Sequence, residues 1–232
     1  MMPFFNNIFP PEVITYVSSR PHDFLLPPDQ NDISQEKKRF LSEQAGFRGT
    51  TFVNIRQVHG DRVIVIPKSK PYVFSPVLEE SDGIITSAAN LPIVIRTADC
   101  VPAFVYDRGQ KQIGLFHAGW KGTQKQILLK GLRRMRANPE EIAIGFGPAI
   151  RQCCYEIGPD VWEYFPDGAV ERNGNRYLDL VNENIKQALD FGVLKQNISD
   201  CGICTCCNDK YFSYRREGEQ AGRNISLMML KG

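Results

Sequence analysis

The pattern of apolar and polar positions along the chain predicts short strands interspersed with helices. A β-rich run at Val13–Ser18 predicts the first strand. Asp32 is then expected to cap an amphipathic helix that runs to about Gly46, with Gln35 at its third position. Further apolar runs predict buried strands at Gly83–Thr86, Pro92–Ile95 and Pro102–Tyr106.

The segment around His59 has the pattern of a β-hairpin. TFVNIRQV alternates, HGD predicts a turn, and RVIVI resumes the strand, so His59 and Gly60 are expected at the bend. A histidine at a hairpin tip usually has no function, although Gln57 and Asp61 are near enough in sequence to influence its tautomer. Residues 67–81 follow as a proline-punctuated loop.

The segment IGLFHAGWKGT combines an apolar strand with polar chemistry at its end. The strand Gln112–Phe116 leads into His117, and Thr123 is expected to cap a helix over Gln124–Arg136. Glycines at this turn allow close approach, and a helix start beside Lys121 favours an anion. The pattern GxxxxGK[ST] is absent, so the turn is not a P-loop.

The last third of the chain adds a strand at Glu141–Phe146, a helix and a final apolar strand. The helix is predicted over about Leu178–Phe191, with Asn182, Glu183 and Asn184 on its polar side. No internal repeat or domain boundary is visible, so residues 1–232 are expected to form one domain.

Composition places the chain among ordinary globular proteins. It has 232 residues, 42% hydrophobic and 23% charged, and a formal net charge of +2, which is too small to favour nucleic-acid binding. No apolar run is long enough to cross a membrane, and the first residues lack a signal-peptide pattern. We therefore expect a cytoplasmic protein with neither nucleic acid nor membrane as partner.

Seven cysteines in such a chain favour free thiols or metal ligands over disulfides. The adjacent Cys153 and Cys154 are expected to be reduced and packed. The segment CGICTCC indicates zinc only weakly, because structural zinc sites usually pair two knuckles across a longer loop. Its thiols are Cys201, Cys204, Cys206 and Cys207.

Asp99 and Cys100 interrupt two apolar runs. A buried carboxylate needs a partner, and Cys100 is as consistent with a packed structural thiol as with a metal ligand. With His59 and His117 it supplies one thiol and two imidazoles, which makes a metal site plausible.

The segments QVHGDRV, SDGIITS, RTADCVPAFVYD, LFHAGWKGT, GPAI–CCYEIG and SYRREGEQAGR occur in this order. From about Phe52 to the C-terminus the chain closely resembles the laccase-domain (YfiH-type) family, known both as multicopper polyphenol oxidases and as purine nucleoside phosphorylases. The resemblance implies an α/β fold of the α+β type, with mixed β-sheets sandwiched with helices in layers. It also implies a metal held by His59, Cys100 and His117.

The resemblance further implies zinc-dependent phosphorolysis of adenosine, inosine, guanosine and methylthioadenosine, together with deamination of adenosine. Older interpretations of the family assign copper and phenol oxidation. One thiolate and two imidazoles leave a fourth position open, as in catalytic zinc sites. Three histidines in the whole chain are too few for a multicopper ligand set, so zinc is preferred and copper is the alternative.

Roles for the surrounding residues follow from this hypothesis. Asp99, next to a ligand, is the candidate for proton transfer, which makes Asp99, Cys100 and His117 the catalytic set. A purine nucleoside and phosphate are the expected partners, and the oligomeric state is open. The residues expected to bind them are Gln57, Lys121, Arg215 and Arg216.

Two further points remain open in the sequence. A metal-free hydrolase or deamidase, with Cys100 as nucleophile and His117 as base, is a competing hypothesis. The first fifty residues depart from the family, because Ser19–Arg20 is followed by Pro21–His22–Asp23 and no Asn-Leu-Gly segment appears. That region is expected to help wall the pocket.

Overall fold

The computed structural model describes residues 5–27, 32–49, 51–68 and 78–232. Its strands are β1 (Val13–Val17), β2 (Ile55–Arg56), β3 (Val63–Ile66), β4 (Leu78–Glu80), β5 (Gly83–Thr86), β6 (Ile93–Thr97), β7 (Val101–Asp107), β8 (Gln112–Ala118), β9 (Ile142–Phe146), β10 (Glu156–Ile157), β11 (Ala169–Arg172), β12 (Asn175–Leu178), β13 (Ile198–Asp200) and β14 (Asn224–Leu230). Its α-helices are α1 (Gln35–Ala45), α2 (Trp120–Gln124), α3 (Ile127–Met135), α4 (Pro159–Trp162), α5 (Leu180–Asp190) and α6 (Tyr214–Glu217). Short 3₁₀ turns lie at Pro139–Glu141, Lys195–Asn197 and Gly218–Gln220.

Two sheets stacked between helices form the core. The larger sheet has the strand order β13-β9-β7-β8-β5-β3, with parallel pairs at both edges and antiparallel pairs between them. The smaller sheet has the order β1-β14-β6 and is antiparallel. Smaller pairings join β10-β12-β11 and β2-β4. The mixed α/β fold predicted from the resemblance is confirmed.

Successive side chains of β7 point to opposite faces of the larger sheet, and each face packs against a different layer. Ala103 and Val105 face a core shared with α3 and α5, whereas Phe104 and Tyr106 face a core shared with the smaller sheet. All four side chains are buried, as expected for a central strand covered on both faces. The outer face of the smaller sheet packs on α1 through a third apolar cluster. None of the described helices is long and apolar enough to cross a bilayer.

The predicted strands at Val13–Ser18, Gly83–Thr86 and the later apolar runs are confirmed within a few residues. The helix ending near Gly46 is also confirmed, but its predicted cap is wrong. Ser34, not Asp32, accepts the bond from the Lys37 amide, while Asp32 pairs with the ammonium group of Lys38. The helix begins later than the pattern suggested, because serine at this position satisfies a free amide of the first turn.

The hairpin predicted around His59 is wrong. β2 pairs in parallel with β4, and β3 pairs in parallel with β5 in the larger sheet. The two runs therefore belong to different sheets, and His59 lies in the connection that crosses between them. Of the loop predicted over 67–81, residues 69–77 lie outside the described residues, and Leu78–Glu80 forms a strand.

The single helix predicted after Thr123 is two short helices. Gly119 precedes α2, and Gln126, in the left-handed conformation, separates α2 from α3. Thr123 lies inside α2, where its hydroxyl oxygen accepts a hydrogen bond from Asn184. Asn184 was predicted on a polar face but is buried, because it links α5 to α2. The cap of α5 is Asp179, whose carboxylate accepts bonds from the first amides of the helix.

Candidate metal centre

Three separate segments converge on one point. His59 comes from the β2–β3 connection, Cys100 from the turn between β6 and β7, and His117 from β8. One potential ligand atom from each lies within 4.8 Å of the others. The His59 and His117 rings meet edge to face, with centroids 4.9 Å apart. The structure thus brings together the three residues that the resemblance named as metal ligands.

The register of the antiparallel strands β7 and β8 places Cys100 close to His117. Val101 pairs with Ala118 and Pro102 with His117, so the chain just before β7 lies beside the chain just after β8. A Cβ atom added to Gly119 would stand 3.0 Å from Cys100 Sγ and 3.4 Å from His59 Cδ2. Glycine at this position therefore leaves room for the Cys100 sulphur and the His59 ring.

A buried carboxylate outside the predicted site residues, Asp82, bonds to both histidines. Asp82 Oδ1 lies 2.7 Å from His117 Nδ1 and accepts a 3.0 Å bond from the His59 amide, while Oδ2 accepts a 2.6 Å bond from the Gly60 amide. His59 adopts a left-handed φ of 57°. Asp82 lies within SDGIITS, and its place directly before a buried strand is the signal in the sequence that marks it.

The charges in the cluster favour a bound cation. Burial raises the pKa of the Cys100 thiol, but the neighbouring His117 and His59 imidazoles outweigh it and bring that pKa down. Burial lowers the pKa of His117, but Cys100 and Asp82 raise it above its usual value. The pKa of Asp82 is lowered, because the His117 ring and the Gly60 and Val58 amides together outweigh the effect of burial. A metal ion binds the thiolate and the neutral imidazole, so its binding here would release a proton from this pair.

The donor set fits a single zinc or copper ion. One thiolate sulphur and two imidazole nitrogens within 4.8 Å of one another need only small side-chain movements to reach zinc bond lengths of about 2.0 to 2.3 Å. Because Asp82 accepts the Nδ1–H of His117, Nε2 is the nitrogen that would bind a metal ion after losing its proton, as in metal-ligating histidines.

The cluster lies in the wall of a cavity of about 830 Å³. The cavity has the size of a small-molecule site. Its apolar and aromatic lining includes Ile55, Ile150, Tyr155 and Tyr214. Residues Leu25–Pro27 also line it, so the first fifty residues, which depart from the family pattern, do help to wall the pocket.

Asp99 lines the same cavity but does not contact the histidines through its described hydrogen bonds. Oδ1 accepts a 2.6 Å bond from the Thr205 hydroxyl, and Oδ2 accepts a 2.6 Å bond from the Arg215 amide. The residue holds a left-handed φ of 88° in the turn before Cys100. Its carboxylate is therefore fixed in position, and Asp82 rather than Asp99 contacts the His117 ring.

The other predicted binding residues separate into two groups. Gln57 and Arg215 line the cavity, but the amide group of Gln57 also makes two 2.8 Å bonds to the backbone of Arg96. Lys121 is exposed beside the Trp120 ring and is not among the lining residues.

Arg216 also lies outside the lining residues of the cavity. Its guanidinium donates to the carbonyl oxygens of Thr205, Cys206 and Tyr211 and to Glu217. Through these bonds the Arg216 side chain stabilises the loop that precedes α6.

Two arginines give one wall of the cavity a positive charge. Arg96 and Arg223 both line it, and Arg96 was not among the predicted residues. Burial lowers the pKa of Arg96 to about 10, and the charge of Arg223 acts in the same direction. Two guanidinium groups of like charge beside an open cavity repel each other, and a bound anion would offset that repulsion.

Curated relatives extend over most of the chain. A purine nucleoside phosphorylase of Aquifex aeolicus is 34% identical over 177 residues, covering 75% of this chain and 81% of that protein. A purine nucleoside phosphorylase of Deinococcus radiodurans is 33% identical over 225 residues, covering 92% of this chain and 85% of that protein.

Solved structures and a family profile agree with these relatives. YlmD from Geobacillus stearothermophilus superposes with a TM-score of 0.83 at 25% identity, covering 98% of this chain and 94% of that one. Bacillus licheniformis YfiH gives a TM-score of 0.80 at 25% identity, covering 95% of this chain and 93% of that one. The sequence profile described as "Multi-copper polyphenol oxidoreductase laccase" matches residues 26–231. The chain belongs to this laccase-like, YfiH-type family.

Proposed function

We propose that this chain is a zinc-dependent enzyme of purine nucleosides. Its reactions are phosphorolysis of adenosine, inosine, guanosine and methylthioadenosine, and hydrolytic deamination of adenosine. The observation that carries the proposal is an open set of three possible ligands, His59, Cys100 and His117, in the wall of a small-molecule cavity that arginines and tyrosines also line. Relatives named purine nucleoside phosphorylase support the same chemistry.

Zinc is proposed over copper because of the ligands available. Multicopper oxidation needs several ions with many imidazoles, and the chain has three histidines. Two of them belong to the cluster, and the third, His22, packs against the Phe40 ring. Three protein ligands with a fourth position open are the arrangement of catalytic zinc.

The zinc ion and the residues around the cluster have separate proposed roles. A bound zinc ion supplies Lewis-acid polarisation and lowers the pKa of a coordinated water to about 7. Asp82 keeps His117 in the tautomer that can bind the metal. Tyr155 and Tyr214 offer aromatic faces for the purine.

Phosphorolysis places two demands on the cavity. A phosphate oxygen forms a bond to ribose C1′ as the bond from C1′ to the purine nitrogen breaks, and the departing purine gains a proton. Arg96, Arg215 and Arg223 are the proposed phosphate contacts, because all three residues line one cavity. Asp99, held by Thr205 and the Arg215 amide, is the proposed proton carrier.

Product analysis with adenosine tests the proposal. The zinc-loaded protein is incubated with adenosine, with and without inorganic phosphate, and the products are separated by chromatography. We expect adenine and ribose 1-phosphate only when phosphate is present, and inosine in both cases. His59→Ala is the matched control and should form neither. A zinc-loaded protein that converts no purine nucleoside contradicts the proposal.

One observation favours a second candidate, a metal-free thiol hydrolase or deamidase. Cys100 and His117 offer ligand atoms within 4.8 Å of each other, and each moves the pKa of the other toward a thiolate–imidazolium pair. That enzyme would keep its activity in a chelator and would form a covalent adduct on Cys100. Activity lost in chelator and restored by zinc contradicts it, and stoichiometric copper with oxygen uptake on phenols would instead indicate the oxidase.

A further inference from the structure

A second group of thiols lies outside the centre described above. It comprises Cys153, Cys154, Cys204 and Cys207, and one sulphur from each lies within 4.8 Å of the others. Two of these residues come from the segment CGICTCC, whose zinc signal was weak because it lacked a distant second pair of ligands. The turn that follows β9 supplies that pair.

Backbone pairing holds the two turns side by side. β9 and β13 are parallel neighbours, and beyond them Ala149 pairs with Cys204. The Thr205 amide donates to the Ala149 carbonyl, and the Ala149 amide donates to the Ile203 carbonyl. The thiols therefore meet because strand pairing continues into both turns.

The sulphur separations fit one ion. Cys207 Sγ lies 3.4 Å from Cys153 Sγ and 3.2 Å from Cys154 Sγ. A tetrahedral zinc ion with Zn–S bonds of about 2.3 Å holds its sulphurs about 3.8 Å apart, so slight spreading of these thiols admits the ion. An iron–sulfur cluster places iron and sulfide between its cysteines and needs wider separations.

The spacing of two of these cysteines in the sequence also suits zinc. Cys204 and Cys207 have the C-x₂-C spacing of a zinc knuckle.

We propose that Cys153, Cys154, Cys204 and Cys207 bind a structural zinc ion. The four thiols release their protons as they bind, and four protein ligands close the coordination sphere, which suits a structural rather than a catalytic site. The ion ties the turn after β9 to the turn after β13.

The two turns that the ion would join also contact the wall of the cavity beside the candidate centre. Thr205, inside the second turn, donates to Asp99, and Arg215 donates to the carbonyl oxygen of Cys154 in the first turn. Zinc at the thiols therefore holds the partners of Asp99 in place without touching substrate.

Zinc content per chain tests the inference. The full chain is purified under reducing conditions from zinc-supplemented cells, and bound metal is measured by elemental analysis. We expect two zinc ions in the natural chain, one in Cys207→Ser, one in Cys100→Ser and two in Cys201→Ser, the matched control outside the cluster. The readout is metal and not turnover, so the result is independent of the proposed enzyme activity. A natural chain with one zinc ion, kept in Cys207→Ser and lost in Cys100→Ser, overturns the inference.

Cobalt substitution covers the case in which Cys207→Ser does not fold. In Cys100→Ser the first centre has lost its thiolate, so any intense thiolate-to-cobalt absorption belongs to the four-cysteine cluster. We expect that absorption, with the visible bands of tetrahedral cobalt. Its absence overturns the inference, and so does mass spectrometry that finds a disulfide among the four thiols of the freshly purified, reduced chain.

Discussion

Asp82 Oδ1 lies 2.7 Å from Nδ1 of His117, and both side chains are buried. The same carboxylate accepts the backbone amide of His59, so one side chain positions two of the three proposed metal ligands. A carboxylate on the far nitrogen of a ligating histidine fixes its tautomer and raises its basicity. The relationship makes Asp82 the main support of the centre.

Replacement of Asp82 by asparagine should weaken zinc binding. A neutral amide holds the His117 ring less firmly, and we expect the zinc dissociation constant to rise by about 10- to 100-fold. Competition against a chromophoric chelator measures it. Asp61→Asn is the matched control, because Asp61 pairs with Lys130 outside the centre. Equal affinities in both variants would remove the role assigned to Asp82.

Replacement of Asp99 by asparagine should leave zinc in place and slow turnover. The Asp99 carboxylate accepts bonds from Thr205 and Arg215 and not from a proposed metal ligand, so we expect unchanged zinc content. We expect kcat on adenosine to fall by about 100-fold. Thr205→Val, which keeps the carboxylate, should have a smaller effect on kcat. The proton role fails if the two variants lose activity equally.

Removal of metal should expose Cys100 to alkylation at neutral pH. Although burial raises its pKa, the imidazoles of His117 and His59 bring the pKa of this thiol to about 6. The thiolate therefore predominates at pH 7 and declines below pH 6. Peptide mapping after iodoacetamide treatment should find Cys100 modified in chelator and protected by zinc. Burial raises the pKa of Cys201 to about 11, so this thiol should react slowly in both samples. Labelling of Cys100 that zinc does not slow would contradict the ligand assignment.

Glu217 should stabilise the fold at neutral pH and not in acid. Burial raises its pKa, but the Ser213 amide and the guanidinium groups of Arg216 and Arg20 lower it overall. A pKa lowered in the folded state gives stability above the unfolded value of about 4.3, which is lost as the pH falls through the folded value. We expect Glu217→Gln to reduce the free energy of unfolding by about 1 kcal/mol at pH 7 and by little in strong acid.

Urea denaturation at both pH values measures this effect. The exposed Glu219→Gln serves as its control. A Glu217→Gln loss of stability that does not change between neutral and acid pH would contradict the assigned contacts.

The three residues that meet at the candidate centre could be named from the sequence, because each lies in a short motif of the family that the chain resembles. Asp82 could not be found in the same way. Its bond to His117 joins residues 35 positions apart, and such a long-range contact leaves no periodic pattern. The vicinal pair Cys153–Cys154 likewise gained meaning only when parallel strand pairing set it beside Cys204 and Cys207.

The alternation of apolar and polar residues did not predict which strands pair with β2 and β3. The runs on either side of His59 are strands, but alternation cannot tell which sheet each joins, and their partners β4 and β5 follow later in the chain. A hairpin that does exist was missed. Asn173 and Gly174 both adopt a left-handed φ between β11 and β12, and Asn-Gly is a strong signal for such a turn.

Zinc content of the natural chain against His59→Ala tests the central claim most directly. His59, Cys100 and His117 come from three separate segments, and we propose that they bind one ion together. Both proteins are purified in parallel, and bound metal is measured by elemental analysis. We predict that His59→Ala contains one zinc ion fewer per chain than the natural protein. Equal zinc content in the two proteins would contradict the centre proposed here.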